Sequence, residues 1–132
     1  MIKGILFDKD GTLIDFYEVW GKAAVKVAKR LCDARRMPER QRMLLREMGV
    51  ADGRVDPDGA LAWKSYRGVA EDLQEYLGTD PEKLAGELAE LFYEEVGLKR
   101  TAYPTFTDIK AMMEALRSRG LWIGVATTDD LK

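Results

Sequence analysis

The sequence predicts an α/β protein that is mostly helical by content, with a partial parallel sheet interrupted by a helical insertion. A short apolar run at residues 2–7 ends in a carboxylate, and a second apolar run at residues 121–126 ends in small polar residues. Between them, apolar side chains recur every three and four residues, as in amphipathic helices. Two buried strands joined through a helix favour a parallel sheet.

The composition excludes several classes of protein. The chain has 132 residues, of which 46% are hydrophobic and 33% charged, as in a packed globular protein. A net charge of −2 and the lack of a long apolar stretch predict no nucleic-acid or membrane partner. Cys32 is the one cysteine, so no intrachain disulfide forms, and a cytoplasmic location is expected. The absence of His excludes common zinc sites and Ser-His-Asp triads.

The first strand, residues 2–7, is expected to be buried and to end in a turn at Gly11. The insertion that follows predicts a small bundle of helices. Pro38 restarts the first helical pattern, Gly49 and Gly78 end later ones, and residues 49–59 predict a loop. The predicted helices cover residues 16–31, 41–48, 66–77 and 82–96, and Tyr66, Tyr76, Phe92 and Met112 are expected in the core.

After residue 100 the sequence again predicts elements of the α/β core, a helix followed by a strand. Residues 105–108 predict a capping box with Asp in place of Glu, followed by a helix over residues 109–116 that ends at Gly120. The second buried strand, residues 121–126, comes next. The predicted domains are therefore a core of residues 1–15 and 100–132 and a helical insertion of residues 16–99.

The candidate chemistry lies just after the first strand. Asp8 and Asp10 stand one residue apart at the carboxyl end of a buried strand, where open α/β sheets bind ligands. A carboxylate can attack phosphorus, a second acid can protonate the leaving alkoxide, and a metal can neutralise the phosphate charge. If the sheet is parallel, Thr127 reaches the same edge and its hydroxyl can hold phosphoryl oxygens.

These residues carry a family resemblance. Ile5-Leu6-Phe7-Asp8-Lys9-Asp10-Gly11-Thr12-Leu13 resembles the first motif of the haloacid-dehalogenase-like (HAD) hydrolase superfamily. The stretch through Arg119-Gly120 to Thr127 resembles the approach to the second motif. The insertion lies where the C1 cap lies in phosphoglycolate-phosphatase-like members. The resemblance implies the first half of a Rossmann-like core with a helical cap.

The resemblance also implies roles. Asp8 would be the nucleophile and a Mg²⁺ ligand, and Asp10 the general acid/base, with its main-chain carbonyl on the metal. Thr127 and Thr128 would bind the phosphoryl group, although many relatives have Asn at the second position. An Asp at position 10 favours a phosphatase of a small phosphorylated metabolite over a dehalogenase. A sugar-phosphate mutase and a catalytically inert fragment or interaction module remain alternatives.

Substrate contacts are harder to assign. Asp15 and Trp20 follow the motif and Arg54 lies in the loop of residues 49–59, so each is a candidate for contacting substrate. Trp20 at helical spacing is also typical of a core residue, and Arg54 of a plain surface loop. Either a cleft-facing or a structural role is consistent with the sequence.

The family's third-motif Lys or Arg and fourth-motif acidic pair are not matched here. Lys132 stands too close to the second motif, and Asp129 and Asp130 follow the wrong strand. We therefore expect a truncated first half that is not a competent phosphatase alone. The uncovered edge of the first strand predicts a homodimer, a segment swap or a missing C-terminal fragment.

Overall fold

A computed structural model describes residues 1–97 and 103–127. The chain divides into two compact units, one from residues 1–16 and 102–132 and the other from residues 17–101. No helix within the described ranges is long and apolar enough to cross a membrane. The elements are β1 (Gly4–Asp8), α1 (Phe16–Ala34), a 3₁₀ turn (Pro38–Arg40), α2 (Gln41–Met48), β2 (Val50–Ala51), β3 (Arg54–Val55), α3 (Ala60–Trp63), α4 (Tyr66–Leu77), α5 (Pro81–Phe92), a π-helical turn (Tyr93–Gly97), α6 (Ile109–Ser118) and β4 (Trp122–Ala126).

The first unit is built on a parallel pair of strands. β1 lies beside β4, with Gly4 opposite Trp122 and Asp8 opposite Ala126, and α6 packs against β4. The α/β fold class with a partial parallel sheet is thus confirmed, and so is the mainly helical content. Successive side chains of a strand point to opposite faces, so the two faces of this sheet can be compared.

The two faces differ in exposure. Ile5, Phe7 and Ile123 share one face and are half-buried. Leu6 and Trp122 share the other and remain 71% and 82% exposed. The prediction that both strands are buried is therefore wrong for this face. Parallel strands become fully buried only when helices cover both faces, and α6 is the helix seen against β4 in the described part of this unit.

The second unit carries a closed apolar core. Apolar faces of α1, α2, α4 and α5 meet there, and helices of this length gain most of their stability from such packing. Helix ends follow local chemistry: Ser65 and Asp80 cap α4 and α5, while Gly49 and Gly78 adopt left-handed φ values of 74° and 60°. The fully buried side chains include Leu31, Leu44, Met48, Leu73, Leu84, Leu88 and Phe92.

The segment predicted as a loop, residues 49–59, is more ordered than expected. β2 and β3 form an antiparallel hairpin whose turn residues Asp52 and Gly53 have φ values of 49° and 71°. Asp-Gly with both φ values positive is typical of a two-residue hairpin turn. The short helix α3 follows and was also not predicted. The hairpin lies against α1, where Gly21 leaves room for it.

Two local predictions need correction. The capping box at residues 105–108 is wrong, because α6 begins only at Ile109 and Asp108 itself accepts the Ala111 N–H at 3.0 Å. The Thr105 hydroxyl instead donates to the carbonyl of Thr107. The predicted core is confirmed for Phe92, and Tyr66 and Tyr76 are half-buried and pack against that core. Met112 is half-buried in the other unit and is not part of that core.

Candidate active site

The loop after β1 is a compact structure of its own. The Lys9 carbonyl accepts the N–H groups of Leu13 at 2.9 Å, Ile14 at 3.1 Å and Thr12 at 3.4 Å. Gly11 adopts φ 79°, a conformation that glycine tolerates far better than other residues, and its N–H donates to the Ile14 carbonyl. These bonds fold residues 9–14 into a tight turn that presents the segment between Asp8 and Thr12.

The loop is anchored behind this turn. Leu13 is 6% exposed and is the one buried residue in the described part of its unit. The Asp15 N–H donates to the Pro104 carbonyl at 2.9 Å, and Ile14 forms an antiparallel bridge with Thr105. The backbone following the two carboxylates is therefore tied to the segment that precedes α6. Sequence reasoning missed this anchor, although an apolar residue directly after a polar turn was a usable signal.

The two carboxylates stand at the carboxyl end of the sheet. Asp8 is the last residue of β1 and is exposed. The Asp10 side chain is 34% exposed, and the Lys9 ammonium lies 3.7 Å from one of its oxygens. A partly exposed ion pair of this kind contributes little to stability. Both carboxylates are therefore accessible to a ligand approaching this end of β1.

The register brings a hydroxyl to the same end. Asp8 is level with Ala126, so Thr127, which directly follows β4, leaves the sheet beside it and is exposed. Thr128, the second predicted phosphate-binding residue, lies outside the described residues, as do Asp129 and Asp130. The structure thus places Asp8, Asp10 and Thr127 at the carboxyl end of the sheet.

The predicted substrate-contacting residues are divided between the two units. Asp15 belongs to the loop just described. Trp20 packs in the helical unit, with its ring 5.2 Å from that of Phe92. Arg54 opens β3, and its guanidinium lies 3.8 Å from a carboxylate oxygen of Glu18.

The oxygen atoms at the carboxyl end of the sheet are suitable ligands for a hard cation. Mg²⁺ is usually held by one or two carboxylates, with substrate phosphate and water completing its shell. Asp8 can supply one carboxylate and the main-chain carbonyl of Asp10 a second oxygen, so the residues present are of the kind that Mg²⁺ binds. Across residues 1–97 and 103–127, no three His, Cys, Asp or Glu side chains gather into a larger metal-binding cluster.

A reactive thiol is not part of this chemistry. Cys32 is 1% exposed within α1, and burial raises the pKa of its thiol. A raised pKa reduces the thiolate fraction, which is the nucleophilic form. Cys32 is therefore a packing residue of the helical core.

Comparison with known proteins gives one match. A family model described as haloacid dehalogenase-like hydrolase matches residues 2–132. Searches among curated proteins and among solved structures returned no match.

Proposed function

The chain belongs to the haloacid dehalogenase-like hydrolase family, and on that premise we propose that it is a phosphatase of a small phosphorylated metabolite. The family makes it an enzyme of the hydrolase type. The observation that supports phosphate as the group transferred is the second carboxylate, Asp10, two residues after Asp8. Cleavage of a phosphomonoester needs an acid for the leaving alkoxide, and Asp10 supplies one.

The proposed reaction has two steps. An oxygen of Asp8 attacks phosphorus and forms an acyl phosphate, while the bond from phosphorus to the ester oxygen breaks and Asp10 gives its proton to the departing alkoxide. In the second step Asp10 removes a proton from water, which attacks the acyl phosphate. Asp8 is then released as a carboxylate, with inorganic phosphate as the product.

The other residues at the carboxyl end of the sheet would support this reaction. The Thr127 hydroxyl, with Thr128, would donate to the phosphoryl oxygens. Mg²⁺, held by Asp8 and the main-chain carbonyl of Asp10, would neutralise the negative charge of the phosphoryl group. Access supports these roles, because Asp8 and Thr127 are exposed and Asp10 is partly so.

We further propose that the helical unit is the cap of the phosphoglycolate-phosphatase-like branch. Its position in the sequence, between β1 and α6, supports this assignment. Asp15, Trp20 and Arg54 are the proposed substrate contacts. Arg54 is the one among them that would favour a second anionic group on the substrate.

The test uses a readout that does not require turnover. Beryllium fluoride and Mg²⁺ should form an acyl-phosphate mimic on Asp8, visible as a bound signal by ¹⁹F NMR. Asp8→Asn should abolish this signal. Asp52→Asn, which removes an exposed carboxylate at a left-handed position that Asn tolerates, should retain it.

Turnover is measured in parallel with p-nitrophenyl phosphate and Mg²⁺, and a measurable rate would correct the expectation from the sequence that this chain alone is not a competent phosphatase. Asp10→Asn should lower the rate of phosphate release by about 10²–10⁴-fold, the range for loss of a general acid/base. An isomerised sugar phosphate without phosphate release would favour a mutase. Absence of both the ¹⁹F signal and hydrolysis would contradict the proposal and favour a catalytically inert module.

A further inference from the structure

Three charged side chains lie together where α1 meets the β2–β3 hairpin. Glu18, in the first turn of α1, accepts a hydrogen bond from the Lys22 ammonium one turn later. The other carboxylate oxygen of Glu18 lies 3.8 Å from the guanidinium of Arg54, the first residue of β3. All three residues belong to the helical unit. The Arg54 side chain is 50% exposed, so a ligand can reach its guanidinium.

The same face of α1 also fixes the backbone of Arg54. Glu18, Gly21 and Lys22 are spaced three and four residues apart, so they lie on one face of the helix. A Cβ atom built on Gly21 would lie 2.5 Å from the Arg54 Cα, so the glycine lets the hairpin pack directly against the helix. Helix α1 therefore contacts the main chain of Arg54 through Gly21 and its guanidinium through Glu18.

We propose that Glu18 is a positioning residue, which holds the Arg54 guanidinium in place to bind a second anionic group of the substrate. This inference rests on the proposed function, in which Arg54 contacts substrate. A guanidinium carries five N–H donors, so it can contact a carboxylate and an anionic ligand at the same time. A long side chain loses rotamer freedom when a ligand orders it, and one that is already held loses less. Glu18 would therefore increase the affinity of Arg54 for an anion.

Charge attraction alone predicts the opposite effect for Glu18. A carboxylate beside Arg54 repels an approaching anion, so its removal would tighten anion binding. Positioning predicts weaker binding, because the ligand itself would then have to order the Arg54 side chain. The sign of the change in affinity therefore distinguishes the two effects. A partly exposed ion pair contributes little to stability, so the change should appear in binding and not in folding.

The experiment compares two probes, phosphonoacetate and phosphonoacetamide, which are similar in size and differ in the second anionic group. Isothermal titration calorimetry with the full chain and Mg²⁺ measures both dissociation constants, and their ratio gives the preference for the second charge. The wild type should prefer phosphonoacetate by about tenfold or more, as expected for a hydrogen bond between charged groups. Arg54→Gln should abolish this preference. Glu18→Gln should reduce it by about 2- to 10-fold, the effect of having to order one long side chain.

Two further variants separate positioning from general effects of charge and folding. Glu71→Gln is the matched control, because Glu71 pairs with Arg67 at 3.0 Å on the exposed surface of α4 and its loss changes the net charge by the same amount. This variant should keep the wild-type preference. Glu18→Gln added to Arg54→Gln should have no further effect, because Glu18 acts through Arg54. Each variant should also keep the urea midpoint of the wild type.

Several results would overturn the positioning role. They are an unchanged or stronger preference for phosphonoacetate in Glu18→Gln, a further loss of affinity when Glu18→Gln is added to Arg54→Gln, and a large fall in the urea midpoint of Glu18→Gln. A wild type that binds both probes equally, or neither, would overturn it as well. The ¹⁹F signal of the acyl-phosphate mimic on Asp8 tests the phosphatase proposal separately, so the failure of one proposal is distinguishable from the failure of the other.

Discussion

Replacing Gly21 by Ala tests the contact between α1 and the β2–β3 hairpin. Gly21 is buried within α1, and a Cβ atom built on it would meet the Gly53 carbonyl oxygen and lie 2.5 Å from the Arg54 Cα. Both neighbours are backbone atoms, so no flexible side chain can move aside. The hairpin that carries Arg54 would have to move away from α1.

The expected size follows from two opposing effects. In an unobstructed helix interior, Gly→Ala stabilises by about 1 kcal/mol. Overpacking a well-filled site costs about 1–3 kcal/mol, and a backbone clash belongs at the upper end. Gly21→Ala should therefore lower the free energy of unfolding by about 2 kcal/mol after the helical gain is subtracted.

Gly86→Ala is the matched control. Gly86 lies inside α5, is exposed, and has no atom within 4 Å of a Cβ built on it. It should raise the free energy of unfolding by about 1 kcal/mol. Urea unfolding followed by circular dichroism at 222 nm measures both variants. If Gly21→Ala is as stable as Gly86→Ala, the close approach of the hairpin to α1 is refuted.

Other predictions concern the helical unit and are checked by the same urea unfolding. Phe92→Ala should cost about 3–5 kcal/mol, because the ring is fully buried and packs against Trp20 and Tyr66 at 5.2 and 5.7 Å; a cost near zero would contradict this. Asp80→Ala should cost about 1 kcal/mol by removing the N-cap of α5, and an unchanged midpoint would show that the cap is dispensable. Burial raises the pKa of Tyr66 to about 12; an unfolded Tyr ionises near pH 10, so stability should fall as the pH rises from about 10 towards 12. Tyr66→Phe should remove that part of the pH dependence, and an unchanged slope would argue against a buried phenol.

Local chemistry made much of the helical unit predictable. The helix at residues 41–48 is confirmed in full, because Pro38 restarts the chain before it and Gly49 ends it in a left-handed conformation. The start of α5 was equally clear from Asp80 and the proline that follows it. The hairpin was missed because strands of two residues are too short to show alternation, although the Asp-Gly pair at its turn was visible.

Burial of the strands was not predictable in the same way. An apolar run indicates that a strand would favour burial. The exposure of each strand face, however, depends on which helices pack against it. Leu6 and Trp122 are exposed for that reason, despite lying in apolar runs. At the candidate site, proximity of Asp8 and Thr127 followed from parallel pairing alone. The packing of Trp20 against Phe92 depends on tertiary contacts that spacing does not specify.

The contact between Trp20 and Phe92 also bears on how the chain folds. β1 and β4 are separated by about 110 residues, and closing so long a loop carries an entropic cost that grows with its logarithm. Because these two rings meet near the start and end of the helical unit, a bundle that forms first shortens the effective loop to about 40 residues. That lowers the closure cost by about 1 kcal/mol. The helices have mainly local contacts and should form early. The folded bundle would then bring the ends of β1 and β4 closer together and make their later pairing more probable.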